Sequence, residues 1–326
     1  MSNNVSNTIA TPSTRFESLP GPSDADDRAI HPPEDERPDR RGRLEPGSIG
    51  TMALVHVMGL AGLIYMIFNF RWQTLVFAIV YYFATGMAIT GGYHRLFAHR
   101  SYQARLPVRF GFVMLGSGAF QNSVLVWCND HRVHHGDTDG NTDPYSVKDG
   151  KWWAHMSWLF WQRPGVGDRP RQTQDLERSA LIRTQDKYYV VFATFMGFVF
   201  PTLVAWTWGD PWGGLLVAGG LRGALLLQAT FCVNSMAHLV GNRPYDAQST
   251  AADSWLTAFI TFGEGFHNYH HKFQSDFRAA IHWWQYDPTK WLILSCERVG
   301  LASNLRRTNP ATIADAKALA AQYSSR

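Results

Sequence analysis

The sequence predicts an all-α integral membrane protein: four transmembrane helices with a cytoplasmic helical cap. Three observations predict it. Within 326 residues, four apolar stretches at about 51–70, 72–91, 188–208 and 214–233 each match the ~20 residues that cross a bilayer as helix. Arg37, Arg40, Arg41 and Arg43 precede the first stretch, which by the positive-inside rule leaves the N-terminus in the cytoplasm. Nine of the thirteen histidines then fall just outside the ends of apolar segments.

In chain order, residues 1–48 are rich in Pro, Ser, Asp, Glu and Arg and lack an apolar run, so a disordered cytoplasmic tail is expected. Only Arg71 separates the first two spans, which forces an antiparallel hairpin and returns the chain to the cytoplasm at His94 and His99. Residues 110–127 are less apolar and carry Gly111, Gly116, Gly118, Gln121 and Asn122; they read as a helix that is buried or interfacial, not a full span. This helix delivers His131, His134 and His135. Residues 136–149 have loop composition, 151–161 hold four tryptophans and read as an interfacial segment, and 163–187 are charged. The third and fourth spans form a second hairpin that returns near Asn234 and His238. Arg222 within the fourth span is read as snorkelling to the far interface. A short apolar helix at 253–265 leads to His267, His270 and His271. The membrane domain is taken as 49–305 and the C-terminal cytoplasmic tail as 306–326.

Span counting thus places both termini and all nine histidines on one face. The formal charge of +4 fits positive-inside bias, and no basic stripe accompanies a recognised nucleic-acid module, so no nucleic-acid partner is expected. Cys128, Cys232 and Cys296 are odd in number and far apart, which disfavours a disulfide framework.

Imidazole is the commonest protein metal ligand. Helical residues three and four apart are surface neighbours, so His131, His134 and His135 can face one point, as can His267, His270 and His271. His94 and His99, five apart, sit about 140° apart around an α-helix and cannot reach one ion from it, though they can reach two neighbouring ions. Asn234 and His238 share a face. Nine imidazoles exceed one coordination sphere and imply two ions, of a kind that imidazole alone does not select. A His-Glu-x-x-His protease string is missing, and no acidic residue sits inside a cluster as in carboxylate di-iron bundles.

Five strings carry a resemblance: Gly91-Gly-Tyr-His-Arg-Leu-Phe-Ala-His99, Trp127-Cys-Asn-Asp-His-Arg-Val-His-His135, Thr142-Asp-Pro-Tyr145, Asn234-Ser-Met-Ala-His238 and Gly263-Glu-Gly-Phe-His-Asn-Tyr-His-His271. With Asp287-Pro-Thr-Lys-Trp291, they resemble the membrane fatty-acid desaturases over about residues 50–305, in particular the stearoyl-CoA (delta-9) branch. The resemblance implies two Fe ions held by His94, His99, His131, His134, His135, His238, His267, His270 and His271, with Asn234 linked through a water; Zn can occupy such sites in purified protein. It implies an oxidoreductase of lipid metabolism that uses O2 and external electrons to insert a cis double bond into a saturated acyl chain.

The resemblance also implies an acyl tunnel whose depth is set from the second span, at positions aligned to Ala78 and Tyr82. Further substrate contacts align to Asn129, Asp130, Arg163 and Phe231. Asn129 replaces an arginine of CoA-binding relatives, Gln162 replaces one of a basic pair, Phe231 replaces a tryptophan, and Arg278-Ala-Ala280 replaces Arg-Asn-Gly. These departures leave acyl-CoA, acyl carrier protein and a membrane lipid open as carriers. No His-Pro-Gly-Gly haem string is present, so a separate donor is expected, such as ferredoxin, rubredoxin or a b-type cytochrome, docking on a basic face around Arg100, Arg105, Arg109 and Lys272. The expected location is a bacterial inner membrane. A hydroxylase on the same histidine scaffold is the alternative, because both reactions begin with the same hydrogen abstraction. A histidine-rich metal transporter or sensor is disfavoured by spans nearly free of charge.

Overall fold

A computed structural model describes residues 41–162 and 172–324. The tail assigned to 1–48 therefore lies mostly outside the described residues, as does Arg163. What is described of that tail is ordered at its end. Strand β1 (Arg43–Leu44) pairs antiparallel with residues Trp161–Gln162, and helix α1 (Pro46–Phe68) starts before the expected boundary. Proline at the first helical turn suits this start, since its missing N–H has no intrahelical partner to lose there.

Among the described residues, four helices are long and apolar enough to cross a bilayer: α1, α2 (Trp72–Ala98), and the later Tyr189–Trp206 and Pro211–Leu239. The chain is an integral membrane protein. Between these hairpins lie α3 (Leu106–Ser117) and α4 (Val124–Gly136), the latter capped by Ser123, whose Oγ accepts the Val126 N–H. They divide the buried 110–127 segment at Gly118–Ser123, where Phe120 and Asn122 adopt positive φ. Short helix α5 (Lys151–His155) and α6 (Ala180–Lys187) precede the third and fourth spans, here α7 (Tyr189–Trp206) and α8 (Pro211–Leu239). The cap is completed by α9 (Trp255–Ile260), α10 (His267–Lys272), α11 (Pro288–Arg298) and α12 (Pro310–Ser324). The expected C-terminal tail is thus mostly a helix, and its Ile313 packs with Tyr245 and Tyr269 of the cap.

Small residues let α1 and α8 approach closely, the usual device where lipid removes the hydrophobic drive between helices. A Cβ on Gly62 would lie 2.2 Å from the Leu216 carbonyl oxygen. At the far end of the bundle, Asp210 accepts from the Tyr65 hydroxyl at 2.7 Å and from the Gly213 N–H at 3.0 Å, tying α1 to the turn before α8.

Arg222 corrects the snorkelling assignment. Its side chain is buried, donating to the carbonyls of Ala218 at 3.0 Å and Gly118 at 2.7 Å, with Tyr81 and Phe120 rings 4.9 and 5.7 Å from the guanidinium carbon. Five donors in a planar fork can satisfy several carbonyls at once. The carbonyls freed where α3 ends supply the partner that sequence inspection missed.

Candidate metal centre

The site forms at the end of the bundle where α2 and α8 finish. The first correction to the sequence argument is local. From Ala88 to Ala98, α2 is a π-helix, and the His99 N–H donates to the His94 carbonyl at 3.0 Å. In a π turn the backbone bonds run i to i+5, so residues five apart fall on one face. His94 and His99 therefore point to the same place, not to two ions.

The second correction concerns the two His-x-x-His-His strings. Each is split between two groups. His94, His99, His131, His135 and His270 form one; His134, His238, His267 and His271 form the other; ligand atoms within each group lie within 4.8 Å of one another. Residues i and i+4 stay together, while the i+3 member turns to the neighbouring group. The groups adjoin: the rings of His135 and His271 stack at 4.3 Å.

The donor set fits metal ions. Nε2 atoms converge: His94 to His270 at 3.0 Å, His99 to His131 at 2.8 Å, His135 to His270 at 3.0 Å, and in the second group His238 to His267 at 3.1 Å and His267 to His271 at 3.0 Å. Several Nδ1 atoms face oxygens on the outside. His94 Nδ1 lies 3.1 Å from Glu264, His134 Nδ1 2.9 Å from Asp143, and His238 Nδ1 2.8 Å from the Thr250 hydroxyl, which in turn donates to Asp139. Protons held at Nδ1 by these acceptors leave Nε2 lone pairs directed inward, the arrangement by which outer partners orient metal-binding imidazoles. Burial first, and the neighbouring imidazoles second, hold His131, His135, His267, His270 and His271 well below the ordinary imidazole range, which keeps them in the neutral, ligating form.

Glu264 anchors the first group from behind. Burial alone would raise its pKa, but Arg95 and His94 hold it down to about 2. Arg95 donates to Glu264 at 2.7 Å and to Asp287 at 3.1 Å, so α2, the third histidine string and the start of α11 meet in one buried network. Neither Glu264 nor Asp143 is legible as a partner from spacing: Glu264 meets His94, far away in the chain, and Asp143 reaches His134 from the loop after α4.

A cavity of about 390 Å³ reaches both groups, touching His94 and His131 of the first and His134 and His267 of the second. Among the sequence candidates, Asn234, Asp130 and Phe231 line it. Asn129, Ala78 and Tyr82 are not among the lining residues. Asn129 instead accepts the Gln172 N–H at 3.0 Å, Ala78 packs with Val217 and Ala218, and Tyr82 stands behind Phe262, its ring centroid 5.2 Å away. Gly86, one turn beyond Tyr82, forms the wall, and a Cβ there would lie 2.3 Å from the Phe262 ring. The lining contains no lysine or arginine among the described residues. Two members of the expected basic face are engaged at home: Arg100 with Asp175 at 3.2 Å and Lys272 with Asp246 at 3.1 Å.

Four spanning helices, nine converging imidazoles and a cavity that reaches both groups define a membrane protein built around a histidine-held metal centre. The chain belongs to the fatty acid desaturase family, whose sequence profile matches residues 70–302. It is similar to the probable acyl-CoA desaturase of Schizosaccharomyces pombe, 41% identical over 263 residues that cover 77% of this chain and 54% of that protein. Acyl-CoA desaturase 1 of Saccharomyces cerevisiae is 41% identical over 246 residues, 75% of this chain and 48% of that protein. The chain thus spans about half the length of these two yeast relatives. Human stearoyl-CoA desaturase is 38% identical over 267 residues, 80% of this chain and 74% of that protein.

Proposed function

We propose that the protein is an O2-dependent fatty acyl desaturase that inserts a cis double bond, at the delta-9 position, into a saturated chain. The observation that carries this reading is a cavity, walled largely by apolar residues, that touches histidines of both imidazole groups. The five-imidazole and four-imidazole groups would each hold one Fe, with Asn234 linked to the second through a water. When bound, the irons would supply O2 activation and hydrogen removal from two adjacent methylenes, the whole change consuming O2, two electrons and two protons and releasing two waters.

The chain's own residues do the rest. Ile89 and Leu226 offer apolar wall to an alkyl chain, and Trp127, whose ring stacks on His131 at 4.8 Å, closes the cavity beside the first group. Such walls exclude water from a reaction on C–H bonds that no side-chain base can deprotonate. Glu264 and Asp143 hold the protons of His94 and His134 at Nδ1 and so keep Nε2 free.

The names of the yeast and human relatives favour acyl-CoA as carrier, with Asp130 and Phe231 beside the thioester. Electrons come from a redox donor such as ferredoxin, rubredoxin or a b-type cytochrome, and the arginines before α1 favour a cytoplasmic active site. Tyr82 acts on the cavity through Phe262; Tyr82→Ala should change chain-length preference, and an unchanged product profile would remove it from the substrate site. The deciding experiment is expression in a desaturase-deficient host with fatty-acid analysis by gas chromatography–mass spectrometry. New cis-monoenes are expected; hydroxy acids would turn the reading to the hydroxylase alternative.

A further inference from the structure

Two segments of the cap carry an aromatic surface that the metal centre does not use. Helix α9 exposes Trp255, Leu256 and Phe259; the chain between α10 and α11, with the first turn of α11, exposes Trp283, Trp284 and Trp291. Trp283 is 83% exposed, extreme for so large a ring. The segments are joined by a stack of Trp255 on Trp284, centroids 5.9 Å apart with planes at 11°, and by Phe259 against Tyr286 at 5.3 Å. The patch is continuous and not a scatter of single apolar residues.

Charge is withheld from it. Residues 254–263 contain no Asp, Glu, Lys or Arg, and in 281–291 the only two, Asp287 and Lys290, are buried. The Lys290 ammonium points under the loop, donating to the carbonyls of Ala280 at 3.0 Å and His282 at 2.8 Å. Asp287 points the other way, into the Arg95 network. A segment that turns both charges inward and three indoles outward is shaped for an apolar neighbour.

Its place in the fold says which neighbour. Phe262, directly after α9, packs on Tyr82 and Phe83 of α2 at 5.2 and 5.5 Å, and Thr289 meets Thr90 of α2 at 2.6 Å. Thr90 lies near the end of the apolar stretch that crosses the bilayer, and Tyr82 and Phe83 lie about two turns deeper on α2. Ile79 and Val80 on α2 and Leu225 on α8 are exposed on the spans below. The cap patch therefore continues the lipid-facing surface at the depth where indole rings are favoured, between hydrocarbon and headgroups.

We propose that Trp255, Phe259, Trp283, Trp284 and Trp291 form a lipid-binding face that seats the cap in the bilayer interface, with phospholipid as its occupant. The face belongs to the segment that continues into Phe262, Glu264 and His267, so the bilayer supports the third histidine string from outside. The inference rests on the membrane spans and on no particular reaction.

The test uses the full chain in nanodiscs of phosphatidylcholine bearing a photoactivatable diazirine high on one acyl chain, with adducts mapped by mass spectrometry. Adducts on 254–260 and 282–291 are expected beside those on the exposed faces of α1 and α2. The double variant Trp283→Ser/Trp284→Ser should lose the 282–291 adducts and keep those on the spans, which report that the bundle is intact. Should that variant fail to insert, Trp283→Ser alone, at the most exposed ring, should still lower labelling of its peptide. Labelled spans with an unlabelled patch would overturn the proposal. Protein–protein cross-links from the patch without lipid adducts would also overturn it, giving the surface to a second copy or another protein.

Discussion

The two imidazole groups are built from the same strings yet differ in kind. The first takes five rings from α2, α4 and α10, two of them aligned by the π turn, and is backed by Glu264 and the Arg95 network. The second takes four rings from α4, α8 and α10, is backed by Asp143 and Thr250, and has Asn234 on the cavity wall one turn before His238. With fewer imidazoles, the second group leaves more of an ion's coordination sphere to water or reactant. The difference teaches that chain segments do not map onto ions: α4 and α10 each serve both groups because i, i+4 and i, i+3 neighbours diverge around a helix.

The comparison is broken or sharpened most strongly by removing one ring from each side. His135→Ala should empty the first group and His271→Ala the second, each ending the proposed desaturation while total metal, read by inductively coupled plasma mass spectrometry, falls from the proposed two ions towards one. If either variant loses both ions, the groups behave as one unit and the distinction fails.

The backing carboxylates come next. Glu264→Gln and Asp143→Asn should each weaken binding at their own group by about 10–100-fold, measured by competition in metal buffers. Glu264→Gln should also lower thermal stability more than Asp143→Asn, because breaking a buried pair and leaving Arg95 with Asp287 alone costs about 3–5 kcal/mol. Equal melting shifts in the two variants would count against the Arg95 network as the asymmetric element.

Asn234→Ala probes the second group alone. Both ions should stay bound and kcat should drop by about 10-fold, the scale of outer-partner losses. Loss of one ion would make Asn234 a direct ligand.

The smallest effect is one of pH, and it separates the scaffold from the metal. Asp276 accepts from the Tyr269 hydroxyl of α10 at 2.8 Å and from Arg278 at 2.8 Å. Burial would raise its pKa, but the Arg278 guanidinium and backbone N–H donors hold it below the usual carboxylate range. A depressed carboxylate stabilises the fold above its unfolded value of about 3.9, and that share is lost as pH falls through the lower native value. Asp276→Asn should therefore cost about 1.5–3 kcal/mol at neutral pH, the scale of hydrogen bonds to a charged group, and flatten the acid limb of a melting-temperature profile. Both groups should retain metal to the same extent.

Much of this was legible in the chain. Four spans follow from apolar length, and their parity brings His94, His131, His238 and His267 to one end of the bundle, because the short connections at 69–71 and 207–210 leave no other path. The nine imidazoles were readable as a metal set because their number and type have no other economical use. Their division was not, since it depends on helix phase at each string. A π turn at Ala88–Ala98 reverses the conclusion drawn from 3.6 residues per turn, and nothing in Gly91-Gly-Tyr-His announces it.

Partners remote in sequence were likewise settled only by the fold. Arg222 needed the Gly118 carbonyl, 104 residues away, and Arg95 needed Glu264 and Asp287, 169 and 192 residues away. On the second span Gly86 lines the cavity while Tyr82 stands behind Phe262, itself held at positive φ. Composition and spacing decide where a chain can cross a membrane and which ligands it owns, since both depend on local length and chemistry. Which ligand serves which ion, and which residue meets the substrate, depends on rotations of a few tens of degrees about helix axes, and only packing determines those.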